Sequence, residues 1–166
     1  MADLTADKKF KVLCEISRAQ HFAWREAVKE LGSEAEAAAA VLRMWEVTGV
    51  QTAQAYVKRM DPAKPVAPQF ATSIVWSSDC MGEDAVVEPG ADAAVDEAFV
   101  RHHDCPWFHW HKKTGLLAED QPGCDAWFRS AIAEVNRVLG TKLRFETLSS
   151  LPAGGSCCLR RIWTER

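Results

Sequence analysis

The sequence lacks several features that would each have fixed a class. No apolar run approaches the ~20 residues that span a bilayer, and the charged start Met-Ala-Asp-Leu-Thr-Ala-Asp-Lys-Lys has no signal-peptide core. Lys and Arg (20) do not outnumber Asp and Glu (23), giving a formal charge of −3 and a pI near 6.0. That balance excludes a broad cationic field and argues against nucleic acid as a partner. The six cysteines contain no CxxC pair, so a zinc ribbon and a thioredoxin-type redox motif are absent. A Gly-rich phosphate loop, a GxSxG elbow, an HExxH helix, internal repeats and charge blocks are missing too. These absences predict a cytoplasmic protein with reduced thiols that engages neither membrane nor nucleic acid; a small-molecule substrate or ligand is the partner expected from the candidate site residues.

What is present is ordinary globular composition: 166 residues, 48% hydrophobic and 26% charged. The length predicts one domain. Residues 1–60 form its helical N-terminal part, and residues 70–166 form a sheet-containing part that carries the candidate site. Leu13, Ile16, Gln20, Ala23, Ala27 and Leu31 recur at helical steps over 8–31, and Gly32 ends that helix. Ser33 with Glu36 is a capping box opening a second helix to about Trp45. A break at Thr48-Gly49 precedes a third helix over 51–60. Prolines 62, 65 and 68 mark a connector, and residues 69–78 lean to helix over strand. Strands at 85–88 and 96–103 flank a Pro89-Gly90 turn. Pro106 opens a helix that Gly115 ends, and a further helix spans 123–139. Strands at 142–146 and 157–163 complete the chain. Two hairpins with apolar faces join into an antiparallel sheet of about four strands covered by helices, an α+β fold.

Chemistry concentrates in Arg101-His102-His103-Asp104-Cys105-Pro106-Trp107-Phe108-His109-Trp110-His111, which holds four of the five histidines. Pro106 at the first helical position puts Cys105 at the N-cap, where backbone amides and the helix dipole favour a thiolate. Cys105 is therefore expected to be the most acidic of the six thiols. Two readings stand. In one, Cys105 is a nucleophile with His103, or His102, as its base. In the other, Cys105, His109, Cys124 and one of Cys157 or Cys158 hold a zinc or iron ion, with Cys157 the chosen fourth ligand. Cys157 and Cys158, adjacent on the last strand, point to opposite sides of the sheet. Arg160 and Arg161 are both candidates for a substrate carboxylate; as strand neighbours only one can face a given pocket, and Arg161 is the one chosen, against the plainer alternative of cross-strand pairing with Glu146. Trp107 is the aromatic candidate for the substrate. His111 is rotated away from the Cys105 face, and Ser77 to Asp84 reads as a solvated loop. Taken singly, each of these residues also has a structural reading: a packed thiol, a surface histidine or a core aromatic.

The block His-Asp-Cys-Pro-Trp-Phe (103–108), Gly123-Cys124, the strand Leu143-Arg144-Phe145-Glu146 and the ending Gly155-Ser156-Cys157-Cys158 resemble the L-2-amino-thiazoline-4-carboxylic acid hydrolase-like proteins. The resemblance lies mainly in residues 70–163. It implies a small cytoplasmic protein that hydrolyses a C–N bond of a five-membered cyclic amidine, giving an N-carbamoyl-cysteine. Cys105 and Cys157 are the motif-matching positions. A looser similarity to four-vinyl-reductase-type domains implies the rival function: a non-catalytic module that binds a small apolar or carboxylated ligand or a metal. Such a module would act as a homo-oligomer or as an accessory subunit of a larger enzyme.

Overall fold

A computed structural model describes residues 5–92 and 95–165. Those residues form five helices and four strands: α1 (Ala6–Leu31), α2 (Glu34–Val57), α3 (Val66–Cys80), β1 (Asp84–Pro89), β2 (Glu97–Asp104), α4 (Pro106–Thr114), α5 (Leu117–Leu139), β3 (Leu143–Ser149) and β4 (Cys158–Thr164). The chain divides into two compact units. The first runs to Val41, and the second begins at Leu42, inside α2.

In the first unit, the Thr5 hydroxyl accepts the Lys8 amide at 3.3 Å to cap α1, and Ser33 accepts the Glu36 amide at 3.3 Å to cap α2. The face of α1 that is buried differs from the apolar stripe of the sequence. Leu13, Ile16 and Leu31 are exposed, and the buried positions are Cys14, Arg18, Phe22 and Arg25. The two guanidinium groups are tied to carboxylates, Arg18 to Glu15 at 2.6 Å and Arg25 to Glu34. An arginine stem can cover apolar surface while its head is paired, so burial of these positions is compatible with their charge.

The second unit is a four-stranded antiparallel sheet of order β1-β2-β4-β3, so the two hairpins meet through β2 and β4. Helix α3 packs on β1, β2 and β4, and α5 packs on β3. Phe70, Ile74, Val100, Phe128, Val135 and Ile162 centre the core between helices and sheet. Residues 66–80 are helical because Val66, Phe70, Ile74 and Ser78 share one buried face at four-residue steps. The carboxylate of Asp96 caps that helix, accepting the Val66 and Ala67 amides at 3.1 and 2.8 Å and the Thr164 hydroxyl at 2.6 Å.

Two helix boundaries differ from expectation. No break occurs at Thr48-Gly49. A Cβ on Gly49 would stand 2.5 Å from the Trp127 carbonyl oxygen, so this glycine serves a close helix approach rather than a turn. Helix α5 begins at Leu117, six residues early, with Glu119 and Asp120 in its first turn. Pro122, the sixth residue of that helix, supplies no amide to its hydrogen-bond ladder, yet the helix runs through it.

Candidate functional site

Alternation along β2 and β4 sorts the chemistry between the two faces of the sheet. Ala98, Val100 and His102 of β2 and Cys158, Arg160 and Ile162 of β4 are buried on the helix-covered face. Arg101, His103, Leu159, Arg161 and Trp163 face the other way.

Cys105 follows β2 directly and occupies the N-cap of α4 in extended conformation, with Pro106 at the first helical position. Its sulfur lies within electrostatic reach of two carboxylates from distant segments, Glu83 and Asp120, and of the Cys124 thiol. Each carboxylate is joined to a buried imidazole. Glu83 Oε2 is 3.4 Å from His102 Nε2, which is also 3.0 Å from the Ser78 hydroxyl. The indole N–H of Trp107 donates to Glu83 Oε1 at 2.9 Å and holds that carboxylate in place. Asp120 Oδ2 is 3.1 Å from His111 Nδ1, which is 2.9 Å from the Trp107 carbonyl oxygen. A carbonyl only accepts, so Nδ1 carries a hydrogen. The thiol thus lies within electrostatic reach of two carboxylates, and each of these stands beside a buried imidazole.

This setting reverses the expected acidity. Burial pushes the Cys105 thiol well above the ordinary range, and the charge of Glu83 adds to the shift, with Asp120 a smaller contributor. The Phe108 amide acts in the opposite sense but forms no full capping hydrogen bond, so the helix N-terminus is outweighed. Burial likewise pushes Cys124 up to about 11, although Arg160 counteracts it. Arg160 Nη2 lies 3.2 Å from Cys124 Sγ, and the guanidinium stands 5.2 Å from the Phe128 ring centre. One helical turn separates Asp120 from Cys124 on α5, which brings both to this face.

Several expected partners lie elsewhere. His103 is exposed on the opposite face, near Glu88. His109 is exposed and bonded to Asp104 at 2.6 Å. Cys157 precedes β4 and takes a contact of 3.0 Å from Arg101 Nη1. Arg161 binds Glu97 at 2.6 Å and Glu146 at 3.3 Å on the opposite face. The set Cys105, His109, Cys124 and Cys157 is therefore dispersed, because His109 and Cys157 are committed to other partners. Among the described residues, no group of three or more His, Cys, Asp or Glu side chains is placed to hold a metal ion. A groove of about 250 Å³ along α5 and β3, between Arg129, Asn136 and Arg144, contains none of these site residues.

Sequence reasoning passed over Glu83, His111 and Asp120, and of the two candidate arginines it chose Arg161 over Arg160. Glu83 stood in the mixed hydroxyl and carboxylate run read as a loop, and that composition was its only signal. Asp120 was hidden by the late start given to α5.

A family model described as L-2-amino-thiazoline-4-carboxylic acid hydrolase matches residues 14–162. A comparison with curated protein sequences finds no match. Among solved structures, trafficking protein particle complex subunit 3 from Naegleria fowleri, crystallised covalently bound to palmitic acid, is similar at 14% identity. It covers 94% of this chain and 97% of its own, with a TM-score of 0.57. The phenol-responsive sensory domain of the transcription activator PoxR, solved with phenol, is similar at 18% identity over 89% of this chain and 73% of its own, with a TM-score of 0.54. Both likenesses concern the fold. No helix of the described residues is long and apolar enough to cross a membrane.

Proposed function

The chain belongs to the L-2-amino-thiazoline-4-carboxylic acid hydrolase family, and we propose that it hydrolyses a small, carboxylated cyclic amidine with Cys105 as nucleophile. The observation that supports this reading is one thiol within electrostatic reach of two carboxylates, Glu83 and Asp120, which stand beside the imidazoles of His102 and His111. An amidine is basic and binds as a cation. Glu83 and Asp120 attract it, and its positive charge offsets the two carboxylates that help keep Cys105 protonated at rest. His102, in place of His103, takes the thiol proton, and the sulfur adds to the amidine carbon.

Atom balance fixes the remaining steps. An N-carbamoyl-cysteine keeps both amidine nitrogens on the carbonyl carbon. The bond that breaks in the ring is therefore C–S rather than the C–N bond expected at first, and the leaving sulfur receives a proton. Water then displaces Cys105 from the same carbon, giving the carbamoyl product and the free thiol.

The test is turnover of 2-amino-thiazoline-4-carboxylate by purified protein, read as release of product thiol. Wild-type protein turns over. Cys105→Ala abolishes turnover, and His102→Asn slows it by about 10²–10⁴-fold, the usual share of acid–base catalysis. Retained activity in Cys105→Ala would falsify the nucleophile.

A second reading, a non-catalytic small-ligand module, draws support from the fold shared with proteins solved with palmitic acid and phenol. It predicts that the same compound binds and is recovered unchanged.

A further inference from the structure

We propose that Arg160 is a carboxylate-binding site on the helix-covered face of the sheet, and that it holds the carboxylate of the substrate whose amidine carbon meets Cys105. Only the identity of the ligand rests on the hydrolase reading; the anion site rests on the arginine itself.

Arg160 is 1% exposed. Guanidinium stays charged at every accessible pH, so sealing it from water without an anion is strongly unfavourable. Its neighbours do not cancel that charge. Nη2 meets the Cys124 sulfur, the Cys158 thiol is the second sulfur beside it, and the Phe128 ring lies beneath it. Nε is buried with no hydrogen-bond partner, and among the described residues no carboxylate forms an ion pair with Arg160. Asp125 attracts the guanidinium electrostatically without forming an ion pair with it; its Oδ1 accepts Gln121 at 2.7 Å and Thr147 at 3.2 Å.

The two thiols are not substitute anions. Cys124 is held protonated by burial, and a neutral thiol is a weak acceptor. A carboxylate that displaces sulfur from the guanidinium therefore exchanges a poor bond for a charge-assisted, bidentate one. Cys124 also links this guanidinium to the reaction centre, since its thiol acts on Cys105. A compact zwitterion fits the pattern, with its anionic end at Arg160 and its cationic end between Glu83 and Asp120.

The probes are thiazolidine-4-carboxylate and thiazolidine-4-carboxamide, saturated rings without an amidine carbon, titrated by calorimetry into the full chain. Wild-type protein is expected to bind the acid more tightly than the amide by an order of 10- to 100-fold, the range for charge-assisted hydrogen bonds. Arg160→Met abolishes the preference, Arg160→Lys keeps part of it, and Arg161→Met keeps all of it. Equal binding of acid and amide, no binding of the acid, or a preference that survives Arg160→Met would overturn the site. Should Arg160→Met not fold, the acid-to-amide ratio in wild-type and Arg160→Lys protein decides alone. The two proposals fail separately. Arg160-dependent acid binding without turnover sinks the hydrolase and keeps the anion site. Turnover with an acid-to-amide ratio near one does the reverse.

Discussion

Arg160 and Arg161 are adjacent on β4 and have opposite fates. On the exposed side, arginines are matched to carboxylates: Arg161 to Glu97 and Glu146, Arg101 to Glu88 at 2.6 and 3.1 Å, and Arg144 to Glu165 at 3.1 Å. On the helix-covered side, where an unmatched charge is most unfavourable, Arg160 contacts two thiols and an aromatic ring, and the carboxylate that attracts it, Asp125, makes no ion pair with it. A fold under no functional constraint would place its charges the other way round. The anion site proposed at Arg160 accounts for this arrangement. The largest expected effect follows. Arg160→Glu sets a carboxylate among buried groups with Asp120 and Asp125 acting on the same thiol, and loses about 3–5 kcal/mol of stability. Arg161→Glu moves the urea midpoint far less. Equal midpoint shifts from the two substitutions would break the contrast between the faces.

The thiols sharpen the same comparison through pH. Burial raises Cys105 and Cys124 above their unfolded values, so the folded protein keeps protons that the unfolded chain releases. The stability they contribute is complete below about 8.5, the ordinary thiol value, and is lost as pH rises toward the folded values, about 11 for Cys124. Urea midpoints should therefore fall between pH 8.5 and 11, and Cys124→Ala should flatten the decline. At neutral pH, a thiol reagent should label exposed Cys80 well before the two inner-face thiols. A decline unaltered by Cys124→Ala would show that other groups govern the alkaline limb.

Locally encoded features were legible in the sequence. The Ser33–Glu36 capping box, Pro106 at the start of α4, the stops at Gly115 and Gly140 and the two hairpins each depend on residues a few positions apart. What escaped depends on partners far along the chain. Nothing local distinguishes Cys157 from Cys158 or Arg160 from Arg161. Which member of each pair turns inward is decided by the register of β4 on β2, where Cys158 sits opposite His102. The buried arginines of α1 were hidden because an arginine stem packs like a leucine once Glu15 or Glu34 takes its charge. The acidity of Cys105 was misjudged for a related reason. The helix N-terminus is visible at 105–106, but Glu83 and Asp120 arrive only through tertiary structure. Of the residues singled out, Cys105, Cys124 and Trp107 fall in the cluster described, while His103, His109, Cys157 and Arg161 do not.

The smallest expected effect concerns the exposed face and tests whether it is as plain as its pairs suggest. Arg161 shares its guanidinium between Glu97 and Glu146 and stands 4.7 Å from the Trp163 ring centre, with its side chain 38% exposed. Water screens such pairs, and at 1 M salt the screening length falls to roughly 3 Å, about the separation of the charges themselves. Arg161→Ala should therefore lower the urea midpoint only slightly at low salt, and the difference should shrink toward zero in 1 M sodium chloride. Stacking on Trp163 is insensitive to salt, so any deficit that survives belongs to that contact. A large deficit surviving at high salt would mean that Arg161 is packed rather than solvated. The contrast with Arg160 would then be one of degree, and an unmatched guanidinium could no longer be read as the mark of a site.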